Sequence, residues 1–116
     1  GLDPAKVEPV AKWPAGFDRY LRAERYVVID DRVKKLGGDL GGTGGAAADL
    51  AAVMDWVQAN MTYDHSFASL AASTDSALVK KRGHCSDYHG LCSSLGRALG
   101  VPTRIVYGLH LFPKSI

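Results

Sequence analysis

Residues 83–89 read Gly-His-Cys-Ser-Asp-Tyr-His, a thiol between two imidazoles with a carboxylate two places on. Three roles fit Cys85: a nucleophile, a metal ligand, or a small side chain where a helix begins. It falls at the first turn of an apolar-periodic segment, where unpaired N–H groups and the helix dipole favour a thiolate. Nearby cations lower a thiol pKa from about 8.5, and Arg82, His84 and His89 are the local candidates. Gly83 lets the backbone approach closely and leaves the sulfur accessible. A nucleophilic thiol also needs a base within reach. His84 is adjacent, and neighbouring helical positions point to different faces. His89, at i+4, can share the face of Cys85, but nucleophile and base would then hang from one rigid element, which favours a packing or hydrogen-bonding role for His89. His65 and His110 are remote in the chain and reach Cys85 only through folding.

The metal reading is weaker. Zinc sites cluster their ligands, as in C-x2-C pairs, whereas Cys85 and Cys92 are spaced C-x6-C. On one helix those thiols lie about 10 Å apart along the axis, beyond the ~7 Å that a disulfide allows between Cα atoms. Two free thiols are expected, with no metal and no cofactor. Cys92, mid-helix among leucines, reads as a space-filling residue.

These side chains must be positioned by a short list of elements. Residues 1–16 carry Pro4, Pro9, Pro14 and Gly16 and read as an irregular lead-in around Trp13. Arg25 to Asp30 is rich in β-branched and aromatic residues and suggests a short strand. Asp30 or Asp31 then caps a short helix through Val33 and Leu36, ending at Gly37-Gly38. The run GGDLGGTGG holds six glycines in nine residues. Its Gly42 to Ala47 portion fits G-x-G-x-x-A, but no strand precedes it directly, so a loop between helices is the better reading.

From Ala46 to Met61 the stripe Ala46, Leu50, Val53, Met54, Val57 and Met61 predicts a helix, with Asp49 and Asp55 off the stripe. Tyr63-Asp64-His65 leads out of it towards a short turn around Ala77-Leu78-Val79. A second helix is expected from Cys85 to Leu99, with Gly100 as its stop and Pro102 preventing continuation. Residues 103–111 alternate like a strand, Ile105, Tyr107, Leu109 and Leu111 on one face. One or two strands make no stable sheet alone, so the expectation is the first half of a larger domain. A homo-oligomer joined through the 103–111 strand is the alternative.

The totals narrow the function classes. With 116 residues the chain is one domain at most. The net charge of +2 argues against nucleic acid or an anionic membrane as the main partner. No window approaches the roughly 18 apolar residues of a membrane span. The first residues lack the basic-then-apolar pattern of a signal peptide, which leaves the compartment unassigned.

RGHCSDYHGLCSSLGRALGVPTRIVYG resembles the signature of the transglutaminase-like superfamily. The resemblance rests on Gly83, Cys85, Asp87, Tyr88, Arg97, Ala98, Leu99, Gly100, Val101, Pro102, Arg104 and Gly108. The helix ending WVQANMTYD is similar to the family's leading helix, which commonly closes with a tyrosine, here Tyr63. The resemblance implies an α+β, papain-like arrangement: a helix-dominated first half with one strand near 103–111 and a short one near 25–30. Residues 1–45 would form a lead-in and residues 46–116 the family core, incomplete at its C-terminal end. It also implies thiol-dependent acyl transfer on peptide or protein amides, by a peptidase, amidase or transglutaminase. Cys85 would be the nucleophile and its own N–H one oxyanion donor. Asp87 would brace the helix start, with Tyr63, His89 and His110 as supporting candidates. The family's catalytic histidine and aspartate come after the strand that ends in Gly108. They are expected beyond this chain, which alone should turn over little. The rival expectation is a non-catalytic binding module that keeps the helical half of the fold.

Overall fold

Four α-helices, two short 3-10 helices (Pro4–Lys6 and Ala15–Tyr20) and one minimal parallel strand pair are the elements found among residues 3–42, 45–64, 66, 74–109 and 111, the residues that the computed structural model describes. Helix α1 spans Asp31–Leu40, α2 Gly45–Asn60, α3 Thr74–Lys80 and α4 Cys85–Ala98. Strands β1 (Thr62–Tyr63) and β2 (Arg82–Gly83) pair in parallel, Thr62 opposite Arg82 and Tyr63 opposite Gly83. A parallel pair needs a crossover, and α3 lies within it.

Helix α4 is the axis of the packing, with α1, α2 and α3 all against it. Leu91 and Leu95 of α4 are fully buried and meet Val33 of α1, Val53 and Val57 of α2, Met61, and Ala77 of α3. Each such aliphatic side chain contributes about 1.5–3 kcal/mol by leaving water. Polar groups fill the rest of the α4 surface. Thr74 and Ser94 share a hydrogen bond through their hydroxyls, and Thr74 Oγ1 also donates towards the carbonyls of Gly90 (3.2 Å) and Tyr26 (3.3 Å). The second half of α4 is buried on its polar positions Ser93, Ser94 and Arg97 as well as on Leu91 and Leu95, whereas its first turn leaves Cys85 exposed.

At the far end of α4, Arg97 ties three segments together. Its guanidinium donates to the carbonyl of Arg22 at 2.7 Å and to that of Thr103 at 2.9 and 2.7 Å. It also pairs with Glu24 at 3.0 Å while its side chain is only 3% exposed. Gly100 follows in the left-handed region at φ 77°, where an L side chain is strained. Trp13 donates its indole N–H to the Gly100 carbonyl at 2.9 Å, docking the lead-in there.

Several expected elements differ. The α1 cap is Asp30, whose Oδ1 accepts the Val33 N–H at 3.1 Å, but the helix continues through Gly37-Gly38 to Leu40. Gly37 is buried with the Ala98 and Leu99 side chains just beyond its Cα, so its contact with α4 outweighs its poor helix propensity. The strand expected near 25–30 is reduced to one antiparallel bridge, Glu24 with Val27, because Thr74 takes the neighbouring Val28 N–H at 3.3 Å.

The strand expected over 103–111 joins no ladder among the described residues. A strand is held by its partners, and here Val106, Tyr107, Leu109 and Leu111 face solvent. Met54, placed on the apolar stripe of α2, is 66% exposed, whereas Asp49 is buried and accepts the Gly42 N–H at 2.7 Å. The turn expected around residues 77–79 is the helix α3.

Candidate active site

The strand pair delivers the thiol. Thr62 donates to the Lys81 carbonyl and Asp64 to that of Gly83, both at 2.9 Å, so β2 ends at Gly83. His84 has extended backbone, φ −90° and ψ 178°, and is the N-cap of α4. Cys85 is therefore the first helical residue. Ahead of β2, Lys81 adopts φ 50°, an uncommon conformation for a non-glycine residue.

Asp87 fixes this junction from inside the helix. Its side chain is fully buried, and its Oδ2 accepts the His84 N–H at 2.9 Å. In return the Asp87 N–H donates to the His84 carbonyl at 3.0 Å. Its other oxygen, Oδ1, is buried with no hydrogen-bond partner among the described residues. A Cβ added at Gly83 would stand 2.5 Å from Oδ2, so the carboxylate occupies the space that only glycine leaves open.

Cys85 is exposed, and its Sγ lies 3.0 Å from Nδ1 of His84. The expectation that adjacent positions point apart fails here for a specific reason. It applies to two helical residues, and His84 precedes the helix with extended backbone. The N–H groups of Asp87 and Tyr88 both turn back to the His84 carbonyl. Those of Cys85 and Ser86 are first-turn donors with no intrahelical acceptor.

Tyr63 at the end of β1 closes one side. Its ring centroid is 5.8 Å from the His84 ring and 5.6 Å from the Tyr88 ring. Burial, then the charge that Tyr63 would carry, pushes the Tyr88 phenol above its ordinary pKa. Arg82, expected as a cation beside the thiol, is engaged by the Asp64 carboxylate. Hydrogen bonds from Ser66, then from Arg82, pull the Asp64 pKa down to about 2.

The structure thus brings together Cys85, His84, Asp87, Tyr63 and Tyr88. His89 lies one turn further along α4 and lines a hollow of about 490 Å³ with Met54, Val57, Gln58, Tyr88 and Cys92. Cys92 is half-buried, and burial pushes its thiol pKa up. His65 and His110 lie outside the described residues. Sequence spacing missed the His84 contact, and it named Tyr63 as a supporting candidate without its place against the His84 and Tyr88 rings. The first needed the cap residue of α4 to be placed, and the second needed a pairing between segments 20 positions apart.

The profile of the transglutaminase-like superfamily matches residues 34–115, and the chain belongs to that superfamily. It is 28% identical over 98 residues to an uncharacterized protein of Mycobacterium leprae (strain TN), covering 84% of this chain and 35% of that one. The fold is similar to the crystal structure of a candidate cysteine protease from Cytophaga hutchinsonii, with a TM-score of 0.72 and 24% identity. That match covers 84% of this chain and 34% of the other. The chain spans about a third of the length of both.

Proposed function

We propose that this chain carries the nucleophile of a thiol-dependent acyl-transfer enzyme acting on peptide or protein amides, and that Cys85 is that nucleophile. The observation that carries the reading is the exposed Cys85 sulfur at the N-terminus of α4, 3.0 Å from His84 Nδ1. In the first step His84 Nδ1 takes the thiol proton and the sulfur attacks the amide carbonyl. The C–N bond breaks and the amine leaves with the proton that His84 took from the thiol. Water or a second amine then cleaves the thioester and frees the thiol. The first-turn N–H of Cys85 is the donor nearest the developing oxyanion. Asp87 acts through the backbone of His84 and touches no substrate.

The test has two parts. In the whole protein, Cys85→Ser abolishes thiol-dependent amide hydrolysis and Cys92→Ser does not; equal activity in both variants would remove the assignment. In this chain, the pH dependence of Cys85 alkylation shifts on His84→Ala; an unchanged profile would transfer the base's role to another group. The exposed apolar residues Val106, Tyr107, Leu109 and Leu111 favour a second reading, a binding module that pairs through this segment. It requires slow Cys85 alkylation together with a stable oligomer on size exclusion.

A further inference from the structure

A cavity of about 390 Å³ lies at the opposite end of α4, lined among others by Arg19, Tyr20, Arg25, Tyr26, Arg97 and Arg104. Its acidic lining residue, Glu24, is already paired with Arg97 at 3.0 Å. Arg97 spends its other donors on the Arg22 and Thr103 carbonyls. That leaves Arg19, Arg25 and Arg104, none of which has an ion-pair partner among the described residues. Arg19 and Arg104 lie over the same Tyr20 ring, at 5.4 and 5.8 Å from its centroid. Arg25 lies over Tyr26 at 5.2 Å.

Stacking on a tyrosine fixes the guanidinium plane and leaves its edge donors free for a planar oxyanion. Three like charges gathered beside a single acid that Arg97 already engages repel one another, and a bound anion reverses that. We propose that this cavity is a subsite for the carboxylate side chains of an acidic peptide. Arginine takes carboxylates in bidentate fashion, and the tyrosine faces can cover the methylenes of a glutamate. In an extended peptide, alternate side chains point the same way about 6.6 Å apart, so successive carboxylates can reach different guanidiniums of the cluster. The cavity's Arg97 is twelve residues along α4 from Cys85, ~18 Å by helix geometry, so the subsite anchors substrate remote from the reacting bond. The choice of a peptide as ligand rests on the acyl-transfer reading above.

The test measures binding, not turnover. A fluorescein-labelled hexapeptide alternating Glu and Ser is titrated with the unmodified chain in low salt, beside its Gln-Ser analogue. The Glu peptide binds on the order of tenfold more tightly, and moving to ~0.15 M salt weakens it. Arg19→Gln with Arg104→Gln removes the preference, and so does Arg25→Gln, a second variant should the first fail to fold. Equal binding of the two peptides, or a preference that survives both variants, overturns the proposal. So does inorganic phosphate displacing the peptide at lower concentration than glutarate, which would make phosphate the ligand. Because no step involves the thiol, a chain that binds the Glu peptide but alkylates slowly at Cys85 would remove the acyl-transfer reading alone.

Discussion

The Asp87 carboxylate reaches back past Cys85 to hold the His84 N–H at 2.9 Å, so a residue after the thiol sets the backbone of the residue before it. Asp87→Ala should cost about 1–2 kcal/mol, the range for losing a helix-start hydrogen bond, and should slow Cys85 alkylation. Asp87→Asn keeps an acceptor and should retain most of both. Thermal unfolding and an alkylation time course check this. An alanine variant with wild-type labelling would separate Asp87 from the thiol's setting.

The two cysteines should separate cleanly. Cys85 is exposed beside an imidazole nitrogen, whereas burial raises the Cys92 pKa and keeps it a thiol near neutrality. Limited iodoacetamide at pH 7, followed by mass spectrometry, should label Cys85 first. Cys92→Ser should leave that rate unchanged, and labelling of Cys92 first would contradict the site.

Arg97 is the least replaceable side chain at the far end of α4. Arg97→Met leaves the carbonyls of Arg22 and Thr103 without their donor and should cost ~3 kcal/mol. Lysine, lacking the planar fork, should restore only part of it. Urea midpoints measure the loss, and a shift equivalent to less than about 0.5 kcal/mol, typical of an ordinary surface change, would refute the role.

Asp64 gives the acid limb of stability a definite sign. Its pKa is about 2 in the folded chain against an ordinary 3.8. A lowered folded pKa contributes stability above the unfolded value, lost as pH falls through the folded one. Asp64→Asn should therefore flatten the loss of stability between 3.8 and about 2. An unchanged acid limb would show that the Ser66 and Arg82 contacts do not persist in solution.

The sequence reading succeeded where periodicity and end signals agreed. Helices α2 and α4 lie within a residue of the expected spans because their stripes, Gly100 and Pro102 are local signals. It failed where the deciding contact was non-local. Residues 103–111 have strand alternation but no described partner, and Gly37 stays helical because α4 lies against it. Asp49 is buried because a loop amide needs its carboxylate. Helical spacing does not apply to His84, which sits one residue outside the helix. There the chain direction is set by β1, which no pattern within residues 82–89 encodes.

The β1–β2 pair also carries a kinetic consequence. Thr62 meets Arg82 only after the intervening chain has closed on itself, an entropic cost near 2.7 kcal/mol plus a constant for about 20 residues. The helices can form from local contacts, so the thiol's setting is a high-contact-order feature of an otherwise fast-folding framework. In pulsed hydrogen exchange during refolding, the Thr62 and Asp64 amides should gain protection after those of Leu91 and Leu95; simultaneous protection would show that the crossover closes with the helices. A sluggishly docking α3 would delay the placement of the Cys85 thiol without touching it.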